Sequence, residues 1–152
     1  MAIKKVIGVE EFTKACNDLY ELFSEENEKY GHQFVKINAQ SIIKSWGHAS
    51  ILNGPMHVWV AFEEERAVGI LMFIDSINTV FGERLFTEYM WACANPKYSF
   101  SLLRQALKFA KNKNIKYATL SLVVNHPKSD KLKNIYEKMG FKKDSETYIK
   151  KL

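Results

Sequence analysis

The stretch Asn134-Ile-Tyr-Glu-Lys-Met-Gly-Phe141 closes a helix and restarts the chain in another direction. Leu132, Ile135, Tyr136 and Met139 recur at helical spacing, with Lys131, Lys133, Glu137 and Lys138 between them. Gly140 supplies the left-handed residue that ends a helix, and Phe141 begins extended chain. A tyrosine one turn before such a glycine lies beside the end of the preceding strand, where a cleft can form. Tyr136 is therefore the first candidate for a chemical role.

On its N-terminal side, residues 117–124 read as a β-branched and aromatic strand, broken by Asn125-His126-Pro127 before a helix over 129–139. Further upstream, residues 100–113 form a helix with Leu103, Ala106, Leu107 and Ala110 inward and a basic outer face. Three strands precede it, over 56–62, 67–75 and 85–94. Glu63-Glu64-Glu65-Arg66 joins the first two, and a loop with Asn78 and Gly82 leads to the third. Pro96 stops pairing. At the start, a short strand over 3–7 leads into a helix from Val9 to Tyr30, with Phe12, Cys16, Leu19, Tyr20 and Phe23 on one face. Gly31 ends that helix. A second helix follows from Ala39 to Trp46, and residues 47–55 are turn-rich. The order β-α-α-β-β-β-α-β-α-β, with the last strand drawn from residues 141–152, gives an α/β fold. Its sheet is mixed, because the strand–helix–strand unit over 85–124 must cross over to a parallel neighbour.

With 152 residues, 47% hydrophobic and 26% charged, the chain suits one domain, residues 1–152, with a real core. No apolar run approaches the ~20 residues of a membrane span. No secretory pattern follows Met1-Ala-Ile-Lys-Lys5, and Cys16 and Cys93 have no metal or redox spacing, so we expect a cytoplasmic protein with reduced thiols. His32, His48, His57 and His126 are dispersed, and no metal site is expected. The net charge of +5 is uneven: residues 1–100 hold 9 Lys/Arg against 13 Asp/Glu, and residues 101–152 hold 13 against 4. A basic half points to an anionic partner or to a solvated lysine surface.

In a crossover unit, ligands bind at the carboxyl ends of parallel strands and at the following helix start. Here that place lies between residues 94–100 and Val124 to Asn125. Free amides from Ser99 to Leu103 would favour an anion such as pyrophosphate, with Arg104, Lys108 and Lys111 along the same helix.

Three pieces of this sequence, in this order, resemble the Gcn5-related N-acetyltransferases (GNAT). They are Val58-Trp-Val-Ala-Phe-Glu-Glu-Glu-Arg-Ala-Val-Gly-Ile-Leu71, then Cys93-Ala-Asn-Pro-Lys-Tyr98 with the helix Leu102-Leu-Arg-Gln-Ala-Leu107, and finally Ile135-Tyr-Glu-Lys-Met-Gly-Phe141. The short ending Glu146-Thr-Tyr-Ile-Lys-Lys-Leu152 is similar to that of a compact subgroup often encoded by bacteriophages. The resemblance implies acetyl-coenzyme A as co-substrate and an amine, small or on a protein, as acceptor. It implies a bulged strand over 85–94, with Ala92, Cys93 and Ala94 along the pantetheine arm. It implies a pyrophosphate site at Ser99, Phe100, Ser101 and Arg104, with Asn125 and Ser129 nearby. Tyr136 would protonate the departing thiolate, and Glu88 is the candidate base.

The departures from the pattern are specific. The family's phosphate loop usually reads Arg/Gln-x-x-Gly-x-Gly/Ala, whereas Pro96-Lys-Tyr-Ser-Phe-Ser-Leu-Leu103 has no glycine, and Tyr98 and Phe100 could fill the phosphate space. The asparagine usual seven residues before the tyrosine is Ser129, and the small residue four before it is Leu132. A non-catalytic protein of the same fold, serving in binding or in an assembly such as a virion, is the alternative. The basic C-terminal third leaves nucleic-acid binding as a third and weaker reading. The last strand could pair with a second copy.

Overall fold

Near-continuous apolar runs make the central strands, and the computed structural model describes residues 2–30, 38–46, 54–148, 150 and 152. The elements are β1 (Ala2–Val6), α1 (Val9–Tyr30), α2 (Ala39–Trp46), β2 (Met56–Glu63), β3 (Arg66–Asn78) and β4 (Glu83–Cys93). A 3₁₀ turn (Pro96–Tyr98), α3 (Ser99–Asn112), β5 (Tyr117–Thr119) and α4 (Ser129–Lys138) complete them. One sheet runs in the order β1-β2-β3-β4-β5. Its first four strands are antiparallel neighbours, and β5 lies parallel to β4, as the crossover through α3 requires.

Both faces of the sheet are covered. Phe12, Cys16, Leu19 and Phe23 of α1 pack on Val58, Val60, Ile70 and Met72. Leu102, Leu103, Ala106 and Ala110 of α3 pack on Trp59, Ala61, Leu71, Phe73 and Phe86 from the other side. Alternate residues of β2 therefore enter opposite cores, which is why Val58 through Phe62 is buried without interruption. Burial lifts the Cys16 thiol to about 12, so this cysteine is an inert filler of the first core. Gly69 permits a close approach: a Cβ there would lie 2.6 Å from Cys93 Sγ.

Two expectations from the sequence need correction. Residues 141–148 form no strand: they are mostly polar and exposed, and β5 offers an edge of only three residues to pair with. Locally, Lys143 pairs with Glu146, whose other oxygen accepts from the Tyr148 hydroxyl at 3.1 Å. The strand expected over 117–124 stops at Thr119, because the main-chain groups of Ser121 turn to other partners, described below. The stop assigned to Gly31 and most of the turn-rich 47–55 segment lie outside the described residues.

A polar cluster sits where β2 and β3 meet the end of α3. The His57 ring lies 4.8 Å from that of Phe109, and its Nε2 is 3.9 Å from Asp75 Oδ2. Asp75 accepts from Arg84 Nε at 2.7 Å, and His57 Nδ1 is buried without a partner. Burial, seconded by the charge of Lys5 and opposed by Asp75, lowers the His57 pKa from 6.5 to about 4. Between those values the unfolded chain binds more protons than the folded one, so stability is complete above 6.5 and is lost as pH falls toward 4. We expect urea unfolding to show a loss of about 1–2 kcal/mol between pH 7 and pH 5 from this group, discounted for solvent screening. His57→Phe should flatten that part of the pH dependence; an unchanged slope would show that His57 is not its source.

Candidate active site

The site begins with an irregularity in β4. Met72 pairs with Met90, but the next residue of β3, Phe73, pairs with Glu88, so Tyr89 is an extra residue on β4. A bulge of this kind bends its strand and raises the local twist. The parallel ladder with β5 covers only Leu85↔Tyr117, Phe86↔Ala118 and Thr87↔Thr119. Past Thr87 the two strands part.

Two side chains hold the parting through one residue. The Glu88 carboxylate accepts from the Ser121 N–H at 2.9 Å, and the Tyr136 hydroxyl donates to the Ser121 carbonyl at 3.3 Å. Both of Ser121's main-chain groups are thus drawn from strand pairing, and this is why β5 ends early. Burial raises the Glu88 pKa above the usual carboxylate value, and its hydrogen bonds to Ser121 oppose the rise. Burial raises the Tyr136 hydroxyl as well, and the nearby Glu88 charge adds to it.

Tyr136 is fixed by the end of α4. The Phe141 N–H reaches back to the Tyr136 carbonyl at 3.0 Å, and Gly140 has φ +90°. This is the closure expected where a glycine ends a helix. The Tyr136 ring lies roughly parallel to that of Trp91, with centroids 6.5 Å apart. Trp91 meets Phe100 of α3 edge-on at 6.0 Å. The Trp91 indole N–H is buried and has no partner. A buried donor without an acceptor is costly, and a partner that arrives from outside the chain is one explanation for such a group.

Of the residues expected along a pantetheine arm, Ala92, Cys93 and Ala94 differ in the direction of their main chain. The Ala94 N–H donates to the Val68 carbonyl at 2.8 Å, so the main chain of Ala94, and by alternation that of Ala92, faces β3. Trp91 and Cys93 are the residues whose main chain faces the parting. The Cys93 thiol contacts the Asn95 carbonyl at 3.0 Å, and burial raises its pKa.

The helix start at α3 also differs from expectation. The Asn95 side chain accepts from the Lys97 N–H at 3.3 Å, the Tyr98 N–H donates to the Asn95 carbonyl, and the Ser99 N–H donates to the Pro96 carbonyl. Ser99 therefore does not offer a free amide, because the 3₁₀ turn before it consumes its donor. Tyr98 is buried rather than filling a phosphate space, and its hydroxyl donates to Glu63 Oε1 at 2.6 Å. Asn95 Nδ2 and Lys97 Nζ reach the same oxygen at 3.2 and 3.1 Å. Phe100 and Ser101 are half-buried, and Arg104 is exposed, with Nε 3.3 Å from the Phe100 carbonyl.

Asn125 is exposed in the turn before α4, and Ser129 opens that helix with its N–H on the His126 carbonyl at 2.9 Å. His126 stacks edge-on against Tyr30 at 4.6 Å and lies 3.5 Å from Glu26, which ties it to the end of α1 rather than to the parting. Among the described residues no group of three His, Cys, Asp or Glu side chains could hold a metal ion. The sequence alone reads Trp91 only as core or cleft lining and does not point to Ser121, whose main-chain contacts leave no signature in a motif. No helix among the described residues is long and apolar enough to cross a membrane.

Neither a family model nor a curated protein matches this sequence. Solved structures do match it along its whole length. A probable acetyltransferase superposes with a TM-score of 0.68 at 20% identity, over 100% of this chain and 97% of that one. A ribosomal-protein-alanine N-acetyltransferase from Brucella melitensis gives 0.67 at 12% identity, over 100% of both chains. An aminoglycoside acetyltransferase from an uncultured soil metagenomic sample gives 0.67 at 14% identity, over 99% and 95%. This is the GNAT fold. Within the GNAT fold of this chain, the bulge at Tyr89 and the parting after Thr87 are what Glu88, Trp91, Ser121 and Tyr136 surround.

Proposed function

We propose that this chain is an N-acyltransferase that moves an acyl group from a pantetheine thioester, with acetyl-coenzyme A as the first donor to test, to an amine. The parting of β4 from β5, with Glu88 and Tyr136 joined across it on Ser121, carries the reading. An extended pantetheine arm has amides that can pair with the outward main chain of Trp91 and Cys93, much as an added strand would. The unpartnered indole N–H of Trp91 fits an acceptor on that arm. At the phosphate end the fit is poorer, since the amides of the 3₁₀ turn are already used.

The chemistry assigned to the residues follows from their environments. The amine nitrogen bonds to the thioester carbonyl carbon, the C–S bond breaks, and in net the proton lost by the amine ends on the thiol. Glu88, whose desolvation makes it more basic than an exposed carboxylate, receives that proton directly or through water. Tyr136 is too weak an acid to give its proton fully to a thiolate of pKa about 8.5, so its hydroxyl turns from the Ser121 carbonyl to give a hydrogen bond to the leaving sulfur, and the released thiolate takes its proton from water while Glu88 returns the amine's proton to solvent. A non-catalytic role leaves the unpartnered indole N–H without a purpose.

Thiol release from acetyl-coenzyme A, measured across a panel of primary amines and amino-terminal peptides, tests the reading. Tyr136→Phe should lower kcat by about 10-fold with little change in KM, the pattern of an interaction made mainly in the transition state. No release with any amine, together with no binding of acetyl-pantetheine, would overturn it.

A further inference from the structure

We propose that the acyl donor is an acidic carrier protein bearing its acyl group on a phosphopantetheine arm, rather than free acyl-coenzyme A. The inference rests on the thioester reading above and adds the class of donor. Free coenzyme A brings a pyrophosphate and a further phosphate, which amide-lined, glycine-rich helix starts are suited to hold. Here Lys97, Tyr98 and Ser99 direct their amides to Asn95 and Pro96, and Glu63 fixes the turn through Tyr98, Asn95 and Lys97, which leaves for an anion the uncapped first turn of α3 from Phe100 on and no glycine-lined loop before it. The arm of a carrier protein carries one phosphodiester at its far end and needs no such cradle.

Charge supplies the second observation. The parting is flanked by α3, through Phe100 against Trp91, and by α4, through Tyr136 against Trp91. On α3, Arg104, Lys108 and Lys111 are exposed, and the helix has no carboxylate. On α4, Lys131, Lys133 and Lys138 are exposed against Asp130 and Glu137, and Lys128 is exposed just before it. Two basic helices beside the parting are complementary to an acidic protein that places its arm between them, and such fields speed encounter and set orientation. In the transfer the amine nitrogen takes the acyl carbon, the C–S bond breaks, and the thiol, in net with the amine's proton, stays on the carrier's arm.

The test compares three donors: an acyl carrier protein loaded with acetyl on its arm, acetyl-coenzyme A and acetyl-pantetheine. The loaded carrier should bind at least about 10-fold more tightly than acetyl-coenzyme A at low salt. Lys131→Glu with Lys133→Glu should weaken the carrier by about 10-fold and leave acetyl-pantetheine unchanged. Acetyl-coenzyme A binding as tightly as the carrier would overturn this proposal and leave the thioester reading standing. Failure of all three donors, acetyl-pantetheine included, would remove both. A carrier without its arm that binds as well as the loaded one, or duplex DNA that displaces the carrier at lower concentration, would also overturn it.

Discussion

Glu88→Gln is expected to lower kcat/KM for amine acylation by about 100-fold, within the range of a lost general base. Glutamine keeps an oxygen that can accept from the Ser121 N–H, so the bridge at 2.9 Å and the parting it spans are retained while basicity is lost. The variant therefore separates chemistry from architecture. The pH profile gives a second readout. In the parent protein one limb should rise with pH through the Glu88 pKa, which burial places above the usual carboxylate range. That limb should vanish in the variant, leaving the one set by the acceptor amine. Loss of activity with the limb intact would assign the proton to another group.

Phe86→Ala should be the most destabilising of these substitutions, at about 3–5 kcal/mol, the range for removing a buried aromatic ring. Phe86 is fully buried and stacks on Phe73 with rings parallel and centroids 4.2 Å apart. Trp59 meets it edge-on at 6.0 Å, and Phe109 lies 6.3 Å away. Its main chain pairs with Ala118, in the middle of the three-residue ladder that holds β5. Truncation would open a cavity in the α3-side core and loosen the last paired residues before the parting. For a chain of this size the melting temperature should fall by about 10 °C. Chemical denaturation showing a loss under about 1 kcal/mol would mean that the neighbouring rings close the space.

The architecture was legible in the sequence where local chemistry and periodicity agree. The end of α4 could be read because Gly140 is needed for a positive φ and the apolar stripe ends just before it. The β2–β3 hairpin could be read from the alternation of Val58, Val60 and Phe62 around a charged turn. The site was only half legible. Glu88 and Tyr136 come together, but the residue that joins them is Ser121, whose contribution is two main-chain groups. The bulge at Tyr89 has no glycine or proline to announce it, and it shifts by one residue which part of β4 faces outward. Tyr98 is turned inward by Glu63, a residue 35 positions away, so no local pattern could have shown where its ring goes. The last strand failed for a related reason: its partner edge exists only if β5 continues, and the capture of Ser121 stops it.

The proposed acyl transfer requires a pantetheine thioester lying between β4 and the chain after β5. Amide NMR spectra of the labelled protein, titrated with acetyl-pantetheine, address that placement without requiring an acceptor amine. Shifts should concentrate at the main-chain amides of Trp91, Cys93 and Ser121 and at the Trp91 indole N–H, which gains its missing partner. Shifts confined to other parts of the chain, or none at millimolar ligand, would show that the thioester does not bind there.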